Sequence, residues 1–257
     1  MKKLSRLTKV SLQLAILFTI DKALGVFRQM LISRQFQLSA ELDVFNAANN
    51  LPDMLFNLIS GGVLAIAFIP VLSEVLSKDG QKKAWNLFSN VLNIAFIATA
   101  VLAVLVALFA EPIIRYIIAP GFSEAQVALA VELMRLNLIS TLIFSISGFM
   151  MAGLQANQHF FLPAMAPILY DLGQIFGALV LAPSNPTSLG PITLPALGFG
   201  VKGLAYGVIL GALLHLLIQI PGLIKYKFNW KPSLDLNNPE TRKVFRLMGP
   251  RLISMVC

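Results

Sequence analysis

Hydrogen-bonding side chains recur at three- and four-residue steps through Asp43, Asn46, Asn49, Asn50, Asp53, Asn57 and Ser60. Wound on a helix, that spacing makes one polar stripe about five turns long. Upstream, Asp21 and Arg28 stand about two turns apart on a common face. Lys22 lies off that face, and Gly25 falls between the two, where a helix can bend. The chemistry on offer is electrostatic: carboxylates, amides and cations can hold a polar or charged group. None of these residues forms a nucleophile–base pair, and there is no Walker loop. His159 and His215 belong to no H-E-x-x-H pattern. The single cysteine, Cys257, excludes an intramolecular disulfide and a thiolate cluster. Catalysis is not supported, and neither a metal nor a cofactor is expected.

The elements that must position these groups are apolar. Of 257 residues, 57% are hydrophobic and 12% charged, roughly half the charge of a soluble domain. A mean hydropathy of +0.77 leaves too few polar side chains to cover a water-facing surface. Disorder, collagen and coiled coil are excluded with it. A helix crossing the hydrocarbon core needs about 20 apolar residues. Met54–Ser73, Ala84–Ala110, Leu136–Gln158, Leu172–Val201 and Gly203–Ile224 contain no Asp, Glu, Lys or Arg. Residues 155–163 read as a turn, and 183–200, rich in proline and glycine, as an irregular loop. Spans are therefore expected at about 8–34, 43–76, 84–110, 126–154, 163–183 and 198–224, with a seventh starting near Met248. Backbone satisfaction in lipid leaves helices as the solution. The fold class is all-α: a polytopic membrane protein with six complete transmembrane helices and the start of another.

The basic residues orient it. With a cytoplasmic N-terminus, the inner segments hold Lys2, Lys3, Arg6, Lys9, Lys78, Lys82, Lys83, Lys225, Lys227, Lys231, Arg242, Lys243, Arg246 and Arg251. Only Arg34, Arg115 and Lys202 fall outside or at the outer margin, as the positive-inside rule requires. The net charge of +8 is thereby assigned to the anionic inner leaflet, and nucleic acid is not needed as a partner. Lys2-Lys3 and Val10–Ile20 imitate a signal peptide, but Asp21-Lys22 follows without a small-residue cleavage site. An uncleaved first span is expected.

Charges inside a bilayer cost several kcal/mol (about 3 at the helix centre) unless they face a partner or water. Asp21, Lys22 and Arg28 either pair with another helix, reach water, or serve function. The stripe in span two must line a hydrated cavity or a polar helix–helix seam, and Pro52 and Gly61-Gly62 interrupt that span. Asn86, Ser89, Asn90 and Asn93 repeat the pattern more weakly in span three. Asp171 and Gln174 share a face that can join the cavity. His215 and Gln219 suit helix packing, and Glu132 and Arg135 suit a local salt bridge. Lys202 snorkels to the outer interface. Asn238-Pro239-Glu240 has the form of a helix start, followed by a basic helix over 241–248 lying on the inner surface.

Further residues carry a resemblance. Gly25-Val-Phe-Arg28, Asp43-Val-Phe45 with Ala48 and Pro52, and Gly62 followed by Ala67-Phe68-Ile-Pro70 resemble the first two helices of the MurJ/MviN lipid II flippases. Ala119-Pro-Gly-Phe122, Pro163-Ala-Met-Ala-Pro167 and Met248-Gly-Pro250 continue the likeness across the whole chain. The resemblance implies the multidrug/oligosaccharidyl-lipid/polysaccharide exporter fold, two six-helix lobes around a central cavity working by alternating access. The chain then looks like the amino-terminal lobe: a six-helix lobe over 1–227, a cytoplasmic linker over 228–247, and the start of helix seven over 248–257. The implied role is moving undecaprenyl-pyrophosphate-linked peptidoglycan precursor from the inner to the outer leaflet of the bacterial cytoplasmic membrane. The partners implied are membrane lipid, that precursor and the second lobe. A coupling ion or the membrane potential is left open.

By the same resemblance, Arg28 matches a family cavity arginine and Asp43 a family acidic residue. Lys22 stands where an arginine is usual, Gln29 where an acidic residue often follows the arginine, and Phe56 where another cavity arginine is found. The substrate cavity is expected to use Arg28, Lys22, Asp43, Asn46, Asn50, Asp53 and Asn57, with Asp21, Gln29, Asp171 and Gln174 as further positions. The alternatives are a flippase for another lipid-linked oligosaccharide, and a non-transporting truncated or half-size membrane protein.

Overall fold

The computed structural model describes residues 6–57, 67–189 and 192–256, and most of them are helical. Local signals set the helix ends. α1 (Arg6–Phe36) stops at Gln37, whose φ of 51° leaves the helical region. α2 (Ala40–Phe56) follows at once behind Ser39, whose hydroxyl accepts the Leu42 N–H at 3.3 Å, with Glu41 and Asp43 at the positive end of the helix. α3 (Ile69–Asp79) carries Pro70 in its first turn and ends at Gly80, where φ is 84°. α4 (Gln81–Leu108) starts on the far side of that glycine. α5 (Ala110–Ile113) widens into a π turn over Ile114–Ile118. α6 (Glu124–Ala156) opens on a capping box, in which Gln126 N–H donates to Ser123 Oγ and Ser123 N–H donates to Gln126 Oε1. α7 (Phe161–Phe176) runs on as a π turn over Gly177–Leu181. α8 (Val201–Leu217), α9 (Ile220–Lys225) and α10 (Pro239–Val256) complete the chain.

Among the described residues, five helices are long and apolar enough to cross a membrane: Thr8–Phe36, Gln81–Leu108, Glu124–Ala156, Phe161–Leu181 and Val201–Lys225. They fall where the apolar runs place five of the six expected spans. The remaining one, 43–76, corresponds to α2 and α3. Ser60, Gly61 and Gly62 lie outside the described residues. Within the loop expected over 183–200, β1 (Thr187–Leu189) and β2 (Ile192–Leu194) pair antiparallel, Ser188 opposite Thr193. α10 is continuous from Pro239 to Val256, so the surface helix expected over 241–248 and the span expected from 248 form one helix.

Glycine brings α7 and α8 together. Gly173 on α7 and Gly177 in the π turn that continues it meet Gly203, Gly207 and Gly211 on α8, each set at four-residue spacing. A Cβ on Gly173 would lie 2.4 Å from the Gly211 Cα, and one on Gly211 would lie 2.5 Å from the Tyr170 carbonyl oxygen. Such backbone proximity is how helices gain van der Waals contact where lipid removes the hydrophobic driving force. α6 ties the rest. Its Val127–Leu138 stretch enters one apolar cluster with Val44, Ala48 and Leu204. Its Phe149–Ala156 stretch enters another, where the rings of Trp85, Phe88, Phe149 and Phe228 meet edge-on. Between those stretches α6 carries the hydroxyls of Ser140, Thr141, Ser145 and Ser147.

The polar residues of span three solve a different problem from the one expected. Asn90 is 3% exposed and faces the segment after α9. Its Oδ1 accepts the Asp235 N–H and the Ser233 hydroxyl, and its Nδ2 donates to the Asp235 carbonyl and Thr241 Oγ1. Asn93 donates to the carbonyls of Lys231 and Ser233 at 2.7 and 2.9 Å, and Ser89 Oγ accepts the Lys231 N–H at 3.2 Å. Asn90→Leu removes four hydrogen bonds from buried groups, each unmade bond costing about 1–3 kcal/mol. We expect amide exchange across residues 231–241 to rise at least tenfold while α6 and α8 keep their protection. Unchanged exchange there would contradict this anchoring.

The outer charges also pair differently from expectation. Glu132 bonds Lys202 across α6 and α8 at 2.8 Å, and Arg135 donates instead to the Ala107 carbonyl at 3.1 Å. In the turn between α6 and α7, burial lowers the pKa of His159, and the nearby Lys225 charge lowers it further. Its ring packs against Tyr226 with 5.9 Å between centroids. Because the folded value lies below the ordinary value of about 6.5, this contribution is complete above that pH. It is lost as pH falls through the folded value. Thermal stability is expected to drop on acidification from pH 8 to 5, and His159→Phe to flatten that drop; an identical pH profile for the variant would contradict the assignment.

Candidate functional site

A cavity of about 1020 Å³ opens between α1, α2, α6, α7 and α8. Its charged side chains include one ion pair that joins two helices. Arg28 of α1 donates through Nη1 to Asp171 Oδ1 of α7 at 2.6 Å, with the arginine side chain 25% exposed and the aspartate 7%. Gly25, one turn before Arg28, faces the same carboxylate: a Cβ there would sit in ordinary contact with Asp171 Oδ2, at 3.5 Å. Arg28 carries five N–H donors in a fork, so its single bond to Asp171 fixes the side chain while leaving donors for a ligand. Asp21 pairs with its neighbour Lys22 at 3.0 Å, and the Lys22 side chain is 84% exposed.

α2 and α6 supply further hydrogen-bonding groups. Asn49, Asp53 and Asn57 line the cavity from α2, and Asn137, Ser140 and Thr141 from α6. Asn137 Nδ2 donates to Asn49 Oδ1, and Ser140 Oγ donates to the Asn137 carbonyl at 2.6 Å. Two prolines sit on the walls, Pro52 and Pro167, each inside a helix. Proline removes an internal helix bond and frees a carbonyl. Phe144 forms an aromatic wall with Phe56, Tyr170 and His215, at centroid distances of 4.7, 4.9 and 5.2 Å.

The structure brings Asp21, Lys22, Arg28, Gln29, Asp53, Asn57, Asp171 and Gln174 to this one lining. Asp43, Asn46 and Asn50 stand outside it, on the exposed side of α2. Asn137, Ser140, Thr141 and Phe144 join the lining without having been expected there. Their spacing of three, four and seven residues along α6 is the same helical stripe signal seen on α2. Tyr170 is a further unexpected member, because an aromatic between apolar neighbours carries no such signal. Gln219 packs between helices as expected, reaching Ser147 of α6, whereas His215 both packs and lines the cavity.

The family description "Lipid II flippase MurJ" matches residues 32–257 of this chain. The chain belongs to the lipid II flippase MurJ family. Among MurJ relatives, a protein called probable lipid II flippase MurJ from Buchnera aphidicola subsp. Acyrthosiphon pisum is 28% identical over 96% of this chain and 46% of its own length. The lipid II flippase MurJ of Burkholderia cenocepacia is 29% identical over 90% of this chain and 43% of its own. The chain thus spans a little under half the length of these relatives. In structure it is similar to a lipid II flippase MurJ in an inward closed conformation, with a TM-score of 0.73, 23% identity, and coverage of 95% of this chain and 47% of that one. An outward-facing multidrug resistance MATE family transporter matches with a TM-score of 0.69 at 17% identity, over 95% of this chain and 52% of that one. These likenesses establish the exporter fold. The MurJ resemblance drawn from Gly25–Arg28, Asp43–Phe45 and Ala67–Pro70 is thereby confirmed as family membership.

Proposed function

We propose that this chain forms one lobe of a flippase that carries lipid II, the undecaprenyl-pyrophosphate-linked peptidoglycan precursor, between leaflets by alternating access. The observation that carries the reading is Arg28, fixed by Asp171 on the wall of a polar cavity in a MurJ-family chain. A pyrophosphate needs charge-assisted donors, and a guanidinium supplies them in a planar fork. The sugar–peptide head group needs neutral donors and acceptors, which Asn49, Asn57, Ser140 and Thr141 provide. Asp43, Asn46 and Asn50, exposed on this lobe, face the second lobe across the translocation path. The basic residues near α4 and α10 support a cytoplasmic position at the inner membrane for that end and for the N-terminus. No catalytic step is part of this role.

Two experiments test it. The full chain, meaning this lobe joined to the second lobe that the reading requires, should rescue growth of cells depleted of their own flippase, and failure of that well-expressed, membrane-inserted protein to rescue would overturn the reading. Separately, single cysteines at 46, 50, 53 and 57 should react with a water-soluble thiol reagent several-fold faster than cysteines at apolar lipid-facing positions such as 101 and 105. Equal rates would refute a hydrated path along α2.

A further inference from the structure

His215 is 6% exposed, yet it lines the cavity. Its neighbours determine which ring nitrogen carries the proton. Gln219 is fully buried one turn along, between α8 and α9, and its Nε2 donates to the His215 carbonyl at 2.8 Å and to Ser147 Oγ at 2.7 Å. Ser147 Oγ lies 2.7 Å from His215 Nδ1. Nearby hydroxyls on α6 donate back to carbonyls of their own helix: Ser140 and Thr141 to Asn137, and Ser145 to Leu142. Ser147 makes no such bond among the described residues, so its proton goes to His215 Nδ1. The Gln219 amide nitrogen, 3.5 Å from the same Nδ1, also favours an unprotonated nitrogen there. A neutral imidazole that accepts at Nδ1 donates at Nε2.

We propose that the Gln219–Ser147–His215 chain fixes His215 as the Nε2–H tautomer and presents that N–H to the cavity as a binding group for an uncharged oxygen of the head group. The inference rests on the cavity being the substrate path. The ring cannot turn freely, because it stands edge-on to Phe144 at 5.2 Å while Ser147 holds its other edge. A neutral donor in an aromatic wall suits a sugar hydroxyl or an amide carbonyl. Arg28, on α1, suits an oxyanion. The two groups divide the ligand between them, phosphate toward α1 and the neutral head group toward α8. A serine and a glutamine behind the ring that set its tautomer are the same device that orients metal-binding and catalytic histidines, used here for recognition.

The ring nitrogens of the full chain, labelled with 15N-histidine, report the tautomer directly. Nδ1 is expected to be unprotonated and Nε2 protonated, and the reverse pattern would overturn the proposal whatever the transport activity. For function, leaflet exchange of lipid II in proteoliposomes is compared across variants. His215→Gln keeps an N–H close to the Nε2 position, whereas His215→Phe keeps the ring packing without it. We expect exchange to fall about tenfold in His215→Phe, the loss of one hydrogen bond, and less than threefold in His215→Gln. Equal exchange by His215→Phe and the unaltered chain would overturn the proposal, as would equal losses in both variants, which would assign His215 to packing. Absence of exchange in the unaltered chain would instead overturn the flippase reading, with the nitrogen signals still deciding the tautomer. Free alanyl-alanine, which offers an amide carbonyl without a sugar hydroxyl, and free glucose, which offers hydroxyls without an amide, separate the two sources when added as competitors.

Discussion

Arg28→Ala in the full chain is expected to abolish flippase rescue and to destabilise the lobe by about 3 kcal/mol. That figure comes from Asp171, whose side chain is 7% exposed beside Arg28 and loses its partner in the variant. Breaking a buried ion pair from one side costs about 3–5 kcal/mol, and the low end applies because Arg28 is itself a quarter exposed. Loss of rescue alone would therefore not prove a binding role. The double variant Arg28→Met with Asp171→Leu separates the two effects. Replacing both charges by apolar side chains of similar size is often neutral or stabilising, so its thermal unfolding should return to within a few degrees of the unaltered protein. Rescue should stay absent, because no guanidinium remains to meet a pyrophosphate. Recovery of both stability and rescue would reduce Arg28 to a structural role.

The second large effect is predicted where α7 meets α8. Gly173→Ala puts a methyl group 2.4 Å from the Gly211 backbone, and Gly211→Ala puts one 2.5 Å from the Tyr170 carbonyl. Neither contact is with a flexible side chain that can move aside, so the helices must separate. Overpacking of this kind costs about 1–3 kcal/mol. The consequence reaches the cavity, because Tyr170 and Asp171 ride on the segment of α7 that would be displaced. Both variants are expected to lose several degrees of thermal stability and most of their rescue. Gly121, where a Cβ would meet no atom within 4 Å, serves as the comparison: Gly121→Ala should change neither. Unchanged stability for Gly173→Ala would contradict the close crossing.

Much of this architecture is legible in the sequence because lipid imposes it. An apolar run of about 20 residues has few alternatives to a crossing helix, and the span limits follow the charged and proline-rich interruptions. The cavity is legible in part. Asp53 and Asn57 belong both to the polar stripe of α2 and to the cavity wall. That wall runs through Phe45, Asn49, Pro52 and Phe56, on one flank of the stripe. Asp43, Asn46 and Asn50 lie on the other flank, because helical spacing gives a face but not the direction in which it points. The same limit applies to Asn90 and Asn93: a hydrated cavity and a polar seam both satisfy buried amides, and only the fold shows that the seam formed. Charge pairing is hardest to read. Arg28 and Asp171 are 143 residues apart, and nothing local marks them as partners. Glu132 has Arg135 within a turn, yet the α6–α8 contact brings Lys202 closer.

The central claim is that a polar lipid head group passes this lobe by way of Arg28. It is tested most directly by leaflet exchange of labelled lipid II in proteoliposomes holding the full chain, unaltered or with Arg28→Met and Asp171→Leu together. Exchange is predicted for the unaltered protein, and at least a hundredfold slower exchange for the equally stable double variant. Exchange by that variant at the unaltered rate would contradict the claim.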